Sequence, residues 1–394
     1  TDNINFFTET NKKFNAIFKK KNENQAEVYS QKKELLEKIV DKPRYFFSYE
    51  VVDYVFENFD PEYITVAWLK CYEILEYFKM IPIQETINYF GICEQPGAFL
   101  YSINHYVKTK IKKQLDNPEN LEFNFVVQSL RPNPNDSKIF KAENELFKEY
   151  KSSYDYATGS GDVTDLQNIK YYRKKYYKKT FNLITADCGL DCSSDFSMQE
   201  NVLVKVVLGQ FLVMLSLAGT GTNYFFKLFT IYESLSAEII YLATLFFKKV
   251  YLVRVLKTKI TSGEIYCVCK NFKFQKKEMD TILDILFDKF NNYTESNFSI
   301  INVSIDYLKT ITKVNKILLS ARLLAMNFMH FRFNNLIYVD KNPDIKKLIN
   351  DLVDYYVKYF CDLYKIEKLD PSDKLVSKKF VSRWIKNNYV IDQK

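Results

Sequence analysis

Four charged side chains interrupt or follow short apolar runs. They are Lys70 in Ala67-Trp68-Leu69-Lys70-Cys71-Tyr72-Glu73-Ile74, Asp187 in Thr185-Ala186-Asp187-Cys188-Gly189, Lys227 in Asn223-Tyr224-Phe225-Phe226-Lys227-Leu228-Phe229, and Glu264 in Ser262-Gly263-Glu264-Ile265-Tyr266. Taken singly they are ordinary: a lysine after two phenylalanines is an edge-of-strand lysine, and a glutamate before an apolar run is a strand-flanking charge. Gathered in one pocket, two lysines and two carboxylates would have a definite chemistry. Desolvation and a neighbouring cation lower a lysine's pKa, while carboxylates raise it. A lysine set between those effects can help a weakly acidic hydroxyl lose its proton during a displacement.

The elements that must carry these residues can be read from periodicity. Residues 46–80 are expected to be helical, with Ile64, Ala67, Trp68, Cys71, Ile74 and Leu75 forming an i, i+3, i+4, i+7 stripe and Lys70 standing beside it. Residues 88–107 open a strand–loop–helix unit whose loop runs Gly91-Ile92-Cys93-Glu94-Gln95-Pro96-Gly97-Ala98-Phe99, with a helix over Phe99–Lys108. Strands are predicted at Leu121–Leu130, Phe181–Cys188, Asn223–Phe229, Val250–Val255 and Glu264–Lys270, and helices at Asp165–Lys179, Ser197–Ala218 and Ser234–Lys248. Residues 131–160 are turn-rich and polar. Strands alternating with helices argue for a parallel sheet covered on both faces, and the last two strands for an antiparallel closing hairpin. Residues 271–394 read as helical, with apolar periodicity in Met279–Phe290, Ile305–Arg332 and Ile345–Tyr364.

Composition bounds the function classes. With 47% hydrophobic and 26% charged residues, most of the 394-residue chain should bury a core, which excludes a wholly disordered chain. The formal net charge of +8 suits a polyanionic partner, and equally an ordinary lysine-rich surface. Seven cysteines scattered through apolar stretches, with no signal peptide at the start, read as free thiols in a reducing compartment. Cys188-x3-Cys192 and Cys267-x-Cys269 lack the histidine partners and loop setting of a zinc site, so no metal is expected. The most apolar stretch, Val202–Ala218, is broken by Lys205 and Gln210 and falls short of the roughly 20 residues of a membrane span; a buried helix is expected.

Read jointly, the order Lys70–Asp187–Lys227–Glu264 resembles the Lys-Asp-Lys-Glu tetrad of the FtsJ/RrmJ-type ribose 2′-O-methyltransferases. Local signatures at 68–74, 93–99 and 261–266 accompany it. The resemblance covers about residues 62–272 and looks like the FtsJ-like enzymes of large cytoplasmic DNA viruses, such as the African swine fever virus group. It implies a Rossmann-like α/β methyltransferase fold: a mostly parallel seven-stranded sheet with an antiparallel closing strand and helices on both faces. It also implies S-adenosylmethionine (SAM) as methyl donor and RNA as acceptor. Lys227 would be the group at which the 2′-hydroxyl is deprotonated, with Lys70, Asp187 and Glu264 orienting it. Glu94, Gln95, Pro96, Gly97, Ala98 and Phe99 would form the loop against the methionine end of the donor, Asp187 would lie where its methyl group approaches, and Asp162 would accept from the adenine amino group.

The chain departs from the family where Ala98 replaces the usual second glycine and Gly91 the acidic residue at the strand end. Asp162 reads equally as the cap of the helix that follows. Tyr171-Tyr172-Arg173-Lys174-Lys175-Tyr176-Tyr177-Lys178-Lys179 could track phosphates and stack bases, but a half-buried helix with a solvated basic face is the preferred reading. In the family, a stretch equivalent to Lys257–Ser262 lines the substrate cleft. The expected organisation is a helical, Lys-rich extension over 1–60, the methyltransferase domain over 61–272 and a helical extension over 273–394. The favoured activity is cap-1 methylation of mRNA in the cytoplasm, away from any membrane, with a protein partner possible through the extensions. The alternatives are a ribosomal or transfer RNA methyltransferase, or a non-catalytic RNA-binding scaffold.

Overall fold

The computed structural model describes residues 48–131, 146–189, 198–259, 262–294, 298–334 and 343–376. The expectations for residues 1–47, for the turn-rich 132–145, for Cys192 and for 377–394 fall outside them. In chain order the elements are α1 Ser48–Phe59, α2 Val66–Phe78, β1 Thr86–Ile92, α3 Ala98–Tyr106, β2 Glu122–Gln128, β3 Tyr154–Asp155, α4 Leu166–Lys175 and β4 Leu183–Ala186. They continue with α5 Gln199–Leu217, β5 Asn223–Leu228, α6 Ser234–Phe246, β6 Phe247–Val253, β7 Ile265–Phe272, α7 Asp280–Asn291, α8 Ile305–Asn334 and α9 Pro343–Leu363.

One seven-stranded sheet runs β3-β2-β1-β4-β5-β7-β6. The first five strands are parallel, and β7 lies antiparallel between β5 and β6, so the closing hairpin forms the edge of the sheet with its second strand inserted next to β5. The chain leaves β1 toward β2 and β3, then returns to place β4 on β1's other side. That reversal opens a crevice at the carboxyl ends of β1 and β4, where open α/β sheets bind ligands.

The two-residue period of the strands sorts their side chains into two cores. Phe90, Ile92, Ile184, Ala186, Tyr224, Phe226 and Leu228 face α4, α5, α6, α7 and α8. Ile87, Tyr89, Phe125, Val127, Leu183, Phe225, Tyr266 and Val268 face α1, α2, α3 and α9. The helices beyond residue 273 therefore share the cores of the sheet itself. The apolar α5 is long enough to be tested as a membrane span, but it is 78% buried inside the protein, as expected of a core helix.

Two local readings are corrected. Within the stretch read as one helical region, the described residues form two helices, Ser48–Phe59 and Val66–Phe78, broken where Asp60 takes a left-handed φ of 53° before Pro61. Thr65 then caps α2, accepting from Trp68 N at 3.4 Å, which puts Lys70 in the second turn. The edge strand β3 lies inside the stretch read as turns; two residues are too few to show a period.

Candidate active site

Asp187 directly follows β4, Lys227 is the fifth residue of β5, and Glu264 directly precedes β7. Pairing of Ala186 with Phe226 and of Lys227 with Tyr266 sets these three on neighbouring strands at the crevice edge of the sheet. Lys227 Nζ lies 3.1 Å from Asp187 Oδ1 and donates to the Asp187 carbonyl at 3.2 Å. Lys70 Nζ reaches in from α2 to Glu264 Oε1 at 2.6 Å, an oxygen that also accepts from Thr258 Oγ1 at 3.4 Å. Side-chain exposures of 13% for Lys70, 10% for Glu264, 11% for Lys227 and 23% for Asp187 make these sheltered pairs, not surface ones of negligible worth.

Tyr266 adds a neutral donor to the Asp187–Lys227 pair. Its hydroxyl donates to Asp187 Oδ1 at 3.3 Å. Burial first, then the negative charges of Asp187 and Glu264, push this phenol well above its ordinary pKa, so it remains a donor facing both acids. Sequence reasoning gave Tyr266 no role. It had no signal of its own, being one of many aromatics in an apolar strand.

The loop after β1 is built by its neighbours. Glu94 N donates to Gln128 O at 2.9 Å, Cys93 N to Gln128 Oε1 at 3.0 Å and Gln95 N to Ser129 Oγ at 3.0 Å. Gln95 Nε2 donates to Tyr156 OH at 2.9 Å. Gln128 Nε2 continues to Gly161 O at 2.6 Å, so one buried amide ties the loops after β1, β2 and β3 together. Gly161 has φ +68°, and a Cβ there would stand 1.9 Å from Ser129 O; glycine is needed for the loops to close. Gln128 and Ser129, noted in the sequence only for lacking an acid, are thus the braces of the crevice.

Glu94 is fully enclosed. Its carboxyl accepts from Leu100 N at 2.7 Å in the first turn of α3 and from Tyr89 OH at 2.6 Å, and burial raises its pKa to about 8. Phe99 packs on Phe225 and Tyr266. Gln95, Pro96, Gly97 and Ala98 complete the turn, with Gly97 at φ +102° before α3.

Asp162 is half-buried beside this loop. Its Oδ1 accepts from Thr164 N and Thr164 Oγ1, both at 2.8 Å. The cap of α4 is Asp165, accepting from Gln167 N at 2.8 Å, so the capping alternative passes to that residue. Asp162 Oδ2 makes no hydrogen bond among the described residues, which fits an acceptor for an amino group of a bound nucleoside.

Two expectations change. Cys93 and Cys188 are joined by a disulfide, with Cα atoms 5.0 Å apart, because β1 and β4 end side by side; the reading of all thiols as free is corrected. Cys71, Cys267, Cys269 and Cys361 are free and buried. Lys257 does not line a cleft: it is 1% exposed and lies between the rings of Tyr356 and Phe360. In the basic helix, Tyr172 is in the core, Arg173 pairs with Asp280 and Lys175 with Asp155, so these members serve packing. Among the described residues no group of His, Cys, Asp and Glu could hold a metal ion.

Comparison with known proteins identifies the family. The family profile described as FtsJ-like methyltransferase matches residues 63–272. The chain is 24% identical over 234 residues to cap-specific mRNA (nucleoside-2′-O-)-methyltransferase 2 of Drosophila melanogaster, covering 58% of this chain and 33% of that protein. It is 28% identical over 226 residues to a probable methyltransferase of African swine fever virus, covering 54% of this chain and 50% of the viral protein. The chain thus spans a third to a half of these relatives. Among solved structures, a putative ribosomal RNA methyltransferase from Plasmodium falciparum matches 52% of this chain and 97% of its own, with 14% identity and a TM-score of 0.34. The family profile takes in more than half of the chain and every strand of the sheet, and the chain belongs to the FtsJ-like methyltransferases.

Proposed function

We propose that this protein is a SAM-dependent RNA ribose 2′-O-methyltransferase acting on the capped 5′ end of mRNA, with Lys70, Asp187, Lys227 and Glu264 as its catalytic residues. The observation that carries the reading is the pair of sheltered Lys–carboxylate contacts, Asp187–Lys227 and Lys70–Glu264, with Tyr266 donating to Asp187 at the crevice edge of the sheet. SAM, when bound, supplies a methyl group activated by a sulfonium. Asp162 would accept from its adenine amino group, and the Gln95–Ala98 turn would face its methionine end.

The chain's own task is to hold a ribose hydroxyl in line and remove its proton. The ribose oxygen would gain the methyl carbon as the donor's methyl–sulfur bond breaks and leaves a thioether, and its proton would pass to Lys227 Nζ in the uncharged amine form. Asp187 orients that amine through its carboxylate and its carbonyl, and the Lys70–Glu264 pair beside it sets the local charge. A capped 5′ end is favoured by the cap-specific mRNA methyltransferases among the relatives.

Lys227→Ala tests the assignment. Methyl transfer to a short capped RNA should fall at least about 100-fold, while calorimetric binding of S-adenosylhomocysteine (SAH) stays within about threefold. Transfer at the wild-type rate by this variant would overturn the catalytic reading. Equal transfer to uncapped transcripts would overturn the cap assignment and leave a different RNA as acceptor.

A further inference from the structure

The segment leading to Glu264 is gripped from outside the matched domain. We infer that Lys257 and Arg322 are positioning residues for Glu264, which makes the helices after residue 273 part of the catalytic apparatus; the inference rests on the methyltransferase reading above. Lys257 Nζ stands 4.3 Å from the ring centroids of both Tyr356 and Phe360 on α9, and donates to Tyr356 OH at 3.3 Å. A desolvated cation between two aromatic faces is a strong, directional anchor. The residue before it, Leu256, donates its N–H to Glu73 on α2 at 2.8 Å, one helical turn from Lys70. The residue after it, Thr258, hydrogen-bonds the Glu264 oxygen that Lys70 also holds. Any slip of Lys257 is therefore passed to Glu264 within one residue.

The residue before Glu264, Gly263, is backed by α8. Arg322 is 3% exposed, and its Nη2 lies 2.9 Å from where a Cβ of Gly263 would be, with Phe229 O at 2.6 Å from the same point. Gly263 thus sits against a buried guanidinium and a strand-end carbonyl, with no room for a side chain. Ser262 Oγ accepts from Glu264 N at 3.1 Å, and Arg254 holds the Ser262 carbonyl at 2.7 Å. Helices α8 and α9 therefore each hold a residue of the segment that carries Glu264, α8 at Gly263 and α9 at Lys257. Neither Lys257 nor Arg322 lies among the four residues assigned to the reaction; the sequence set Lys257 in a cleft-lining stretch and gave Arg322 no role.

The test separates positioning from plain stability. Full-length Lys257→Ala and Arg322→Ala should each lower kcat on capped RNA about tenfold, with KM for RNA and the Kd for SAH within about twofold. Lys257→Arg, whose guanidinium also stacks on aromatic faces, should recover kcat to within about threefold. Leu352→Ala on the exposed face of α9 should match the wild type. If Lys257→Ala does not fold, Tyr356→Leu removes one face of the clamp and should show the same split. Unchanged kcat in the folded variants overturns the inference, as does a parallel loss of SAH binding, which marks a structural role only. A wild type that uses only uncapped RNA, with the same Lys257 dependence, upholds the inference and overturns the cap assignment. A wild type with no transfer to any RNA overturns both.

Discussion

The buried acid Glu94 turns the geometry of the cofactor loop into a pH dependence of known sign. Burial moves its pKa from 4.5 to about 8, against the hydrogen bonds from Tyr89 and Leu100 that favour the charged form. Between those values the folded protein binds a proton that the unfolded chain does not. Stability then falls by about 1.4 kcal/mol per pH unit. This contribution is complete below the unfolded value and is lost as pH rises through the folded one. From about pH 5.5 to about pH 7.5 it amounts to about 2–3 kcal/mol.

Glu94→Gln keeps the shape and the neutral state. The amide nitrogen takes the place of the protonated oxygen toward Tyr89, whose own hydroxyl lies 2.7 Å from Thr185 Oγ1 and can donate there. Glu62, Glu73 and Glu238, each raised to about 7 by burial, titrate in both proteins and cancel in the difference. Urea unfolding of both proteins across that range should show the variant gaining about 2–3 kcal/mol on the wild type as pH rises. A difference independent of pH would refute the argument.

Other predictions follow from the same contacts. Lys70→Ala leaves Glu264 sheltered and unpaired, and should cost about 3 kcal/mol in urea unfolding; Lys70→Ala with Glu264→Ala should cost clearly less than the sum of the single variants. Gly161→Ala drives a Cβ into Ser129 O, and should lower stability by about 2–4 kcal/mol and weaken SAH binding in calorimetry. Arg173→Ala breaks a pair whose aspartate is 45% exposed. It should cost at most about 1 kcal/mol and leave RNA affinity in a filter-binding assay within about twofold, whereas a phosphate-tracking helix would lose several-fold.

The strands were legible because β1, β2, β4, β5 and β7 each bury residues on both faces and so stand out as short apolar runs between helical periods. The four charged residues were legible only jointly, since each alone is an ordinary charge in or beside an apolar run: Lys70 in a helix, Asp187 after β4, Lys227 within β5 and Glu264 before β7. Lys257 misled because a lysine in a Lys-Thr-rich stretch carries no mark of its burial. Its partners, Tyr356 and Phe360, lie about a hundred positions away on a helix whose own pattern fits plain packing. Gln128 was passed over for the complementary reason: an amide at a strand end looks like the absence of an acid until the three loops it joins are seen to converge.

The amino-acid sequence alone determined the alternation of elements and the order of the charged residues along the chain, because these follow from period, type and spacing, and its resemblance to the FtsJ-like enzymes pointed to the family. The tertiary structure decided which charges meet. It paired Lys70 with Glu264 and Lys227 with Asp187, sent Lys257 into an aromatic clamp, joined Cys93 to Cys188 and drew the C-terminal helices into both cores. Contacts between distant segments depend on strand order and on how helices pack across the sheet, and no local pattern of side chains encodes either.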